Sequence, residues 1–140
     1  MNRLPPLLAL LLPLLAVGCS GDDGHKATFG VTGAVLVDGK PAEHATVVFH
    51  PVGATGPDVV KPRGTVGADG SFKLTSYDGY DGAPAGDYQV TVELWLAAAK
   101  PDQPPTNRLN AKFSRPETSG LKATVTKGPT KLEPFTLKRS

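Results

Sequence analysis

Cysteine, tryptophan and methionine each occur once in the 140 residues, and aromatic side chains make up only 6%. The lone cysteine, Cys19, cannot close an intramolecular disulfide, and a zinc site built on several cysteines is excluded. Histidine is scarce as well, with His25, His44 and His50 the only 3. His44 and His50 lie ~20 Å apart if the chain between them is extended, too far to share a metal ion. Neither sign of charge dominates: 15 Lys and Arg against 13 Asp and Glu leave a net charge of +2. There is no basic stripe interleaved with aromatics, so nucleic acid is not an expected partner. The one long apolar run, residues 4–17, falls short of the ~20 residues that span a bilayer, and Pro5, Pro6 and Pro13 interrupt it. Gly-rich phosphate loops, metalloprotease helices and the Gly-x-Ser-x-Gly elbow are all missing, and no cofactor is expected.

What is present begins at the N-terminus. Arg3 precedes the apolar run, which ends in the small residues Ala16 and Gly18. A charged start, a short apolar core and a small-residue end mark a secretory signal. The stretch Leu15-Ala16-Val17-Gly18-Cys19 resembles the lipobox of bacterial lipoproteins, with Ala16 where leucine is commonest. That resemblance implies cleavage between Gly18 and Cys19 and a diacylglycerol on the Cys19 thiol, its acyl chains of the palmitate type. The membrane is then a partner through a lipid anchor and not through a spanning helix. Residues 1–18 read as a lipoprotein signal peptide, 19–26 as a polar tether and 27–140 as one domain. Ser20 stands where some inner-membrane lipoproteins carry Asp. By the same resemblance, the outer membrane or cell surface is the expected location.

The chain after the tether is rich in turn formers, with 16 Gly and 14 Pro overall. Short apolar runs separated by Gly and Pro predict an all-β fold. Phe29, Val31, Val35 and Val37 alternate with smaller or polar residues, which predicts a half-buried strand. Asp38-Gly39 follows as a tight turn. Val47 and Phe49 give a second strand, ended by Pro51. The segment around Gly64, Thr65 and Val66, behind Pro62, predicts an edge strand. Asp69-Gly70 with Phe72 and Leu74 then predicts a hairpin over residues 65–75. Tyr88, Val90, Val92, Leu94 and Leu96 alternate with Gln89, Thr91, Glu93 and Trp95, the clearest strand in the chain. Residues 97–117 hold four prolines (Pro101, Pro104, Pro105 and Pro116) and read as a long loop. Strands around Ala123 and Leu137 complete the count. The expectation is seven strands at sandwich-like spacing and essentially no helix after the signal.

Three motifs carry a family resemblance. Gly33-Ala-Val-Leu-Val-Asp-Gly-Lys-Pro-Ala-Glu-His-Ala-Thr-Val-Val-Phe49 resembles the opening of carboxypeptidase regulatory-like (transthyretin-like) domains. Gly64-Thr-Val-Gly-Ala-Asp-Gly-Ser-Phe72 and Ala85-Gly-Asp-Tyr-Gln-Val-Thr-Val92 resemble two further segments of that family. The resemblance covers about residues 30–138 and implies a seven-stranded immunoglobulin-like, transthyretin-like β-sandwich. Such domains are mostly accessory, binding or structural modules, so the implied function is a non-catalytic envelope module. The fold also hosts 5-hydroxyisourate hydrolases, but their C-terminal Tyr-Arg-Gly-Ser is absent: this chain ends Thr136-Leu-Lys-Arg-Ser140.

Few residues carry candidate chemistry. Tyr77, Tyr80 and Trp95 are a candidate contact surface for a glycan or an envelope protein. The plainer expectation for Trp95 is that it covers the sheet beneath the 97–117 loop. Asp102, Arg108 and Arg115 in that loop are the residues a hydrolase would use. Asp78 and Asp81 offer carboxylates to calcium, although Asp-Gly pairs form turns first. Tyr88, after a Gly-Asp turn, reads either as a tyrosine corner or as an ordinary core residue.

Overall fold

The computed structural model describes residues 24–139. The signal segment, Gly18, Cys19 and the first part of the tether lie outside the described residues, as does Ser140.

The fold is all-β. In chain order the strands are β1 (Val31–Val37), β2 (Lys40–Pro41), β3 (Thr46–Pro51), β4 (Arg63–Thr65), β5 (Ser71–Lys73) and β6 (Gly86–Glu93). They are followed by β7 (Trp95–Leu96), β8 (Thr106–Asn107), β9 (Leu121–Val125), β10 (Thr130–Lys131) and β11 (Phe135–Leu137). Strands stand where side-chain alternation predicts them, at β1, β3, β4, β5, β6, β9 and β11. Of the other four, β7 is the end of the run expected as one strand with β6, split off after Leu94, and β2, β8 and β10 are two-residue pairings with no room for an alternating pattern.

The central sheet element is β1. Its odd-numbered backbone groups bond β5 and then the β2 region, as in Val35 N–H to Gly70 O at 2.8 Å and Ala42 N–H to Val35 O at 3.0 Å. Its even-numbered side pairs in parallel with β10 and β11. A second, antiparallel sheet runs β4-β3-β6-β9. Val31, Val35 and Val37 from the first sheet share one buried cluster with Val47, Phe49, Val90 and Val92 from the second. Burial of these side chains, at about 1.5–3 kcal/mol each, is the main force holding the sheets together.

The hairpin expected over residues 65–75 forms differently. The turn closes, with Gly67 N–H to Ser71 O at 2.8 Å. However, β4 pairs with β3 and β5 pairs with β1, so the two strands belong to different sheets. Val66 is the reason. It is 1% exposed and bonds Ala45 across the corner, which pulls the chain into the core before the turn. The two segments meet in one antiparallel bridge, Arg63 with Thr75, bonded at 3.0 and 2.8 Å, and pass closest at Gly64, where a Cβ would meet Lys73 O at 2.5 Å.

The 97–117 segment also departs from expectation. It contains β8, a 3-10 turn (Ala111–Ser114) and the start of one α-helical turn, α1 (Pro116–Ser119). Asn110 caps the first through its side chain to Lys112 N–H at 3.0 Å. Pro116 opens the second, and Gly120 at φ 70° ends it. Single turns of this length cannot show a 3.6-residue period, which is why the sequence pattern carries no trace of them. Both turns lie against β6. They cover Thr91, which alternation assigns to the polar face and which is buried at 3% exposure.

Candidate functional site

The strands set two ends. At one, β3 finishes at Pro51 opposite Tyr88, near the start of β6. Phe29 forms a bridge with Ala83 at the same end, where the tether enters the domain. At the other end, β3 begins at Thr46 opposite Glu93. The eight residues of β6 separate the two ends by about 25 Å.

The tether end is built on the 76–82 loop. Asp81 organises it: Oδ1 accepts from Ser76 N–H at 2.7 Å, and Oδ2 from Tyr77 N–H at 3.1 Å and Asp78 N–H at 3.3 Å. Ser76 Oγ donates to Gly82 O at 2.6 Å. The Asp81 carboxylate is thus engaged by its own loop, as the turn reading of the Asp-Gly pair has it. Gly82 sits at φ 92°, where a Cβ would stand 1.8 Å from Phe29 O. Only glycine lets the loop pass under the incoming chain. The tether itself is held by Tyr77. The rings of His25 and Tyr77 stack at 3.9 Å and 10°, and Lys26 N–H donates to the Tyr77 hydroxyl at 3.1 Å. Tyr80 projects from the same loop, 69% exposed, with backbone φ at 60°.

Tyr88 lies just behind this loop. Its hydroxyl donates to Pro84 O at 2.6 Å, and the ring is buried. This is the tyrosine-corner bond, so the corner reading holds over that of a plain core residue. Burial pushes the phenol above its ordinary range, with the neighbouring Tyr77 adding to the shift.

At the far end, β7 and β8 form a separate two-stranded arm, with Trp95 opposite Asn107 and Leu96 opposite Thr106. Asn107 fastens its base. Its Oδ1 accepts from Leu94 N–H at 3.0 Å and Leu109 N–H at 3.1 Å, and its Nδ2 donates to Ser114 Oγ at 3.1 Å. Nothing in the sequence marks Asn107 for this role, because its partners come together only in three dimensions. Trp95 is 56% exposed, and its indole N–H donates to Glu93 Oε2. The expectation that Trp95 covers the sheet beneath the loop is therefore corrected. The pairing of β7 with β8 lifts it off the sheet, and it is the helical turns further on that do the covering. Leu96, expected inside, is 38% exposed for the same reason. Leu94 and Leu96 border a shallow groove of about 400 Å³, completed by Val37, Pro41, His44 and Arg139.

The candidate surface of Tyr77, Tyr80 and Trp95 is consequently two places, one at each end. Asp102 lies at the tip of the arm, Arg108 at its base and Arg115 between the two helical turns. No hydrogen bond or ion pair links these three among the described residues. His44 is exposed beside Glu43 at 3.6 Å, whereas His50 is half-buried with Nε2 2.9 Å from Thr91 Oγ1. The two histidines do not converge.

No family model matches the chain, and no curated protein matches it. Among solved structures it is similar to part of a 9R-lipoxygenase from Cyanothece PCC8801, at 15% identity and a TM-score of 0.43. The similarity covers 79% of this chain and 16% of the lipoxygenase.

Proposed function

We propose that the chain is a lipid-anchored, non-catalytic module of the bacterial envelope, built on a seven-stranded transthyretin-like β-sandwich of the carboxypeptidase regulatory-like type. Cys19 carries the lipid, and Ser20 directs the protein to the outer membrane or cell surface. The observation that supports this reading best is polarity. The tether joins the domain at the Tyr77 end, while the exposed Trp95 arm stands at the opposite end, so an anchor at Cys19 presents the arm away from the membrane. Feeding cells a labelled fatty acid tests the anchor. Label is expected on the wild-type chain and absent from Cys19→Ala, and equal labelling of the two would refute it.

A second reading makes the module a carbohydrate binder. It is favoured by an indole that is exposed and oriented through Glu93, the arrangement that stacks on a sugar ring. On a glycan array the domain is expected to bind, and Trp95→Ala to lose that binding. Signal that survives the substitution removes this reading.

A further inference from the structure

We propose that the tether end of the domain rests on the same bilayer that holds the Cys19 lipid, with the Tyr80 ring in the headgroup layer. This inference depends on the lipid-anchor reading above and adds an orientation to it.

Chain length carries the first part. Only residues 20–24 lie between Cys19 and His25, so the Cα atoms of the two residues stand at most about 22 Å apart even when the chain is extended. His25 does not swing free of the domain, since it stacks on Tyr77, and the next residue bonds the Tyr77 hydroxyl. The 76–82 loop is thereby tied to the membrane surface on a short leash. A longer or undocked tether would leave the domain free to tumble and would set no orientation.

The chemistry of the end carries the second part. Tyrosine favours membrane–water interfaces, where its ring meets apolar chains and its hydroxyl stays wet. Among the described residues, Tyr80 is the most exposed of the large hydrophobic side chains. Its left-handed backbone is a conformation that disfavours side-chain-bearing residues by about 1–3 kcal/mol. The three backbone hydrogen bonds to Asp81 and the Tyr80 N–H bond to Thr75 Oγ1 at 3.2 Å hold it there. The ring is therefore presented outward by a rigid loop. Val52, 60% exposed, leaves β3 at the same end, where its N–H bonds Asp87 O at 3.0 Å. Lys73 Nζ lies 6.0 Å from the Tyr80 ring centroid, and Lys26 is exposed beside the loop. Both suit anionic phosphates. Among the carboxylates here, Asp81 is turned onto backbone N–H groups, while Asp78 and Asp87 are exposed, Asp87 accepting from Thr124 Oγ1 at 2.7 Å.

The sequence supplies its own reporter, because Trp95 is the single tryptophan and stands at the opposite end. The test uses the mature chain purified from cell membranes and mixed with vesicles of phosphatidylethanolamine and phosphatidylglycerol brominated near the headgroup end of the acyl chain. In the wild type, Trp95 fluorescence is expected to be unchanged by the bromine. In the Tyr80→Trp, Trp95→Phe chain, the larger part of the fluorescence is expected to be lost. Both positions are exposed, so neither change threatens folding. Flotation with the vesicles is read in parallel. A wild-type chain that fails to float refutes the anchor and the orientation with it. A chain that floats but shows equal quenching at the two positions, or stronger quenching at Trp95, overturns the orientation alone.

Discussion

Tyr88 shows how much one hydroxyl settles at the scale of a residue. Its O–H reaches back to Pro84 O and ties the entry of β6 to the loop that docks the tether. Tyr88→Phe keeps the ring and leaves a buried carbonyl without its donor, so we expect a loss of about 1–3 kcal/mol in urea unfolding. Unfolding free energy unchanged by the substitution would show that the bond contributes nothing. The residue was legible in advance as one of two possibilities, because a tyrosine after a Gly-Asp turn invites the corner. The bond itself was not legible, since it depends on where Pro84 is held.

Between elements, His50 is the most informative contact. It stands on β3 and bonds Thr91 of β6, under the cover of the helical turns. Burial holds its imidazole below the usual 6.5, the Lys61 ammonium lowers it further, and the Glu117 carboxylate opposes them. With the folded value depressed, the unfolded chain binds more protons between that value and the ordinary one. Stability is therefore full above the ordinary imidazole range, falls as pH drops through it, and is wholly lost from this source below the folded value. We expect the melting temperature to drop as pH falls through the ordinary imidazole range near 6.5, and His50→Gln to flatten that part of the profile. An equally steep profile in the variant would assign the effect to other groups.

The same scale explains what the sequence could and could not reveal. Period-two alternation located β1, β3, β6 and β9 because each buries one clean face, as with Val31, Val35 and Val37. It failed at Thr91, which is buried on the supposedly wet face because a distant helical turn lies over it. It failed at Leu96, where the chain leaves one sheet to start a small one. It also misjudged residues 65–75, because a local turn signal says nothing about which sheet each strand will join.

For the whole molecule, the decisive property is the separation of its exposed apolar groups. Tyr80 and Val52 lie with the tether, while Trp95 and Leu96 lie at the far end. No helix among the described residues is long and apolar enough to cross a membrane. The aromatic candidates were visible in the sequence as loop and polar-face residues. Their division between two ends was not, because it rests on pairings such as Pro51 with Tyr88 and Thr46 with Glu93. The docking of His25 on Tyr77 was equally hidden, since it joins residues far apart in the chain.

The position of β1 has a consequence in time as well as in space. The first long strand of the domain sits in the middle of its sheet, and its parallel neighbours β10 and β11 lie about 100 residues further along the chain, as in the pairing of Val31 with Thr130. Parallel pairing over such a span is slow to form, because the loop it closes is nearly the whole domain. The nascent chain cannot complete its first sheet until residues 130–137 have emerged. A stretch of sequence nearly as long as the domain must therefore be present before its first strand finds both of its neighbours.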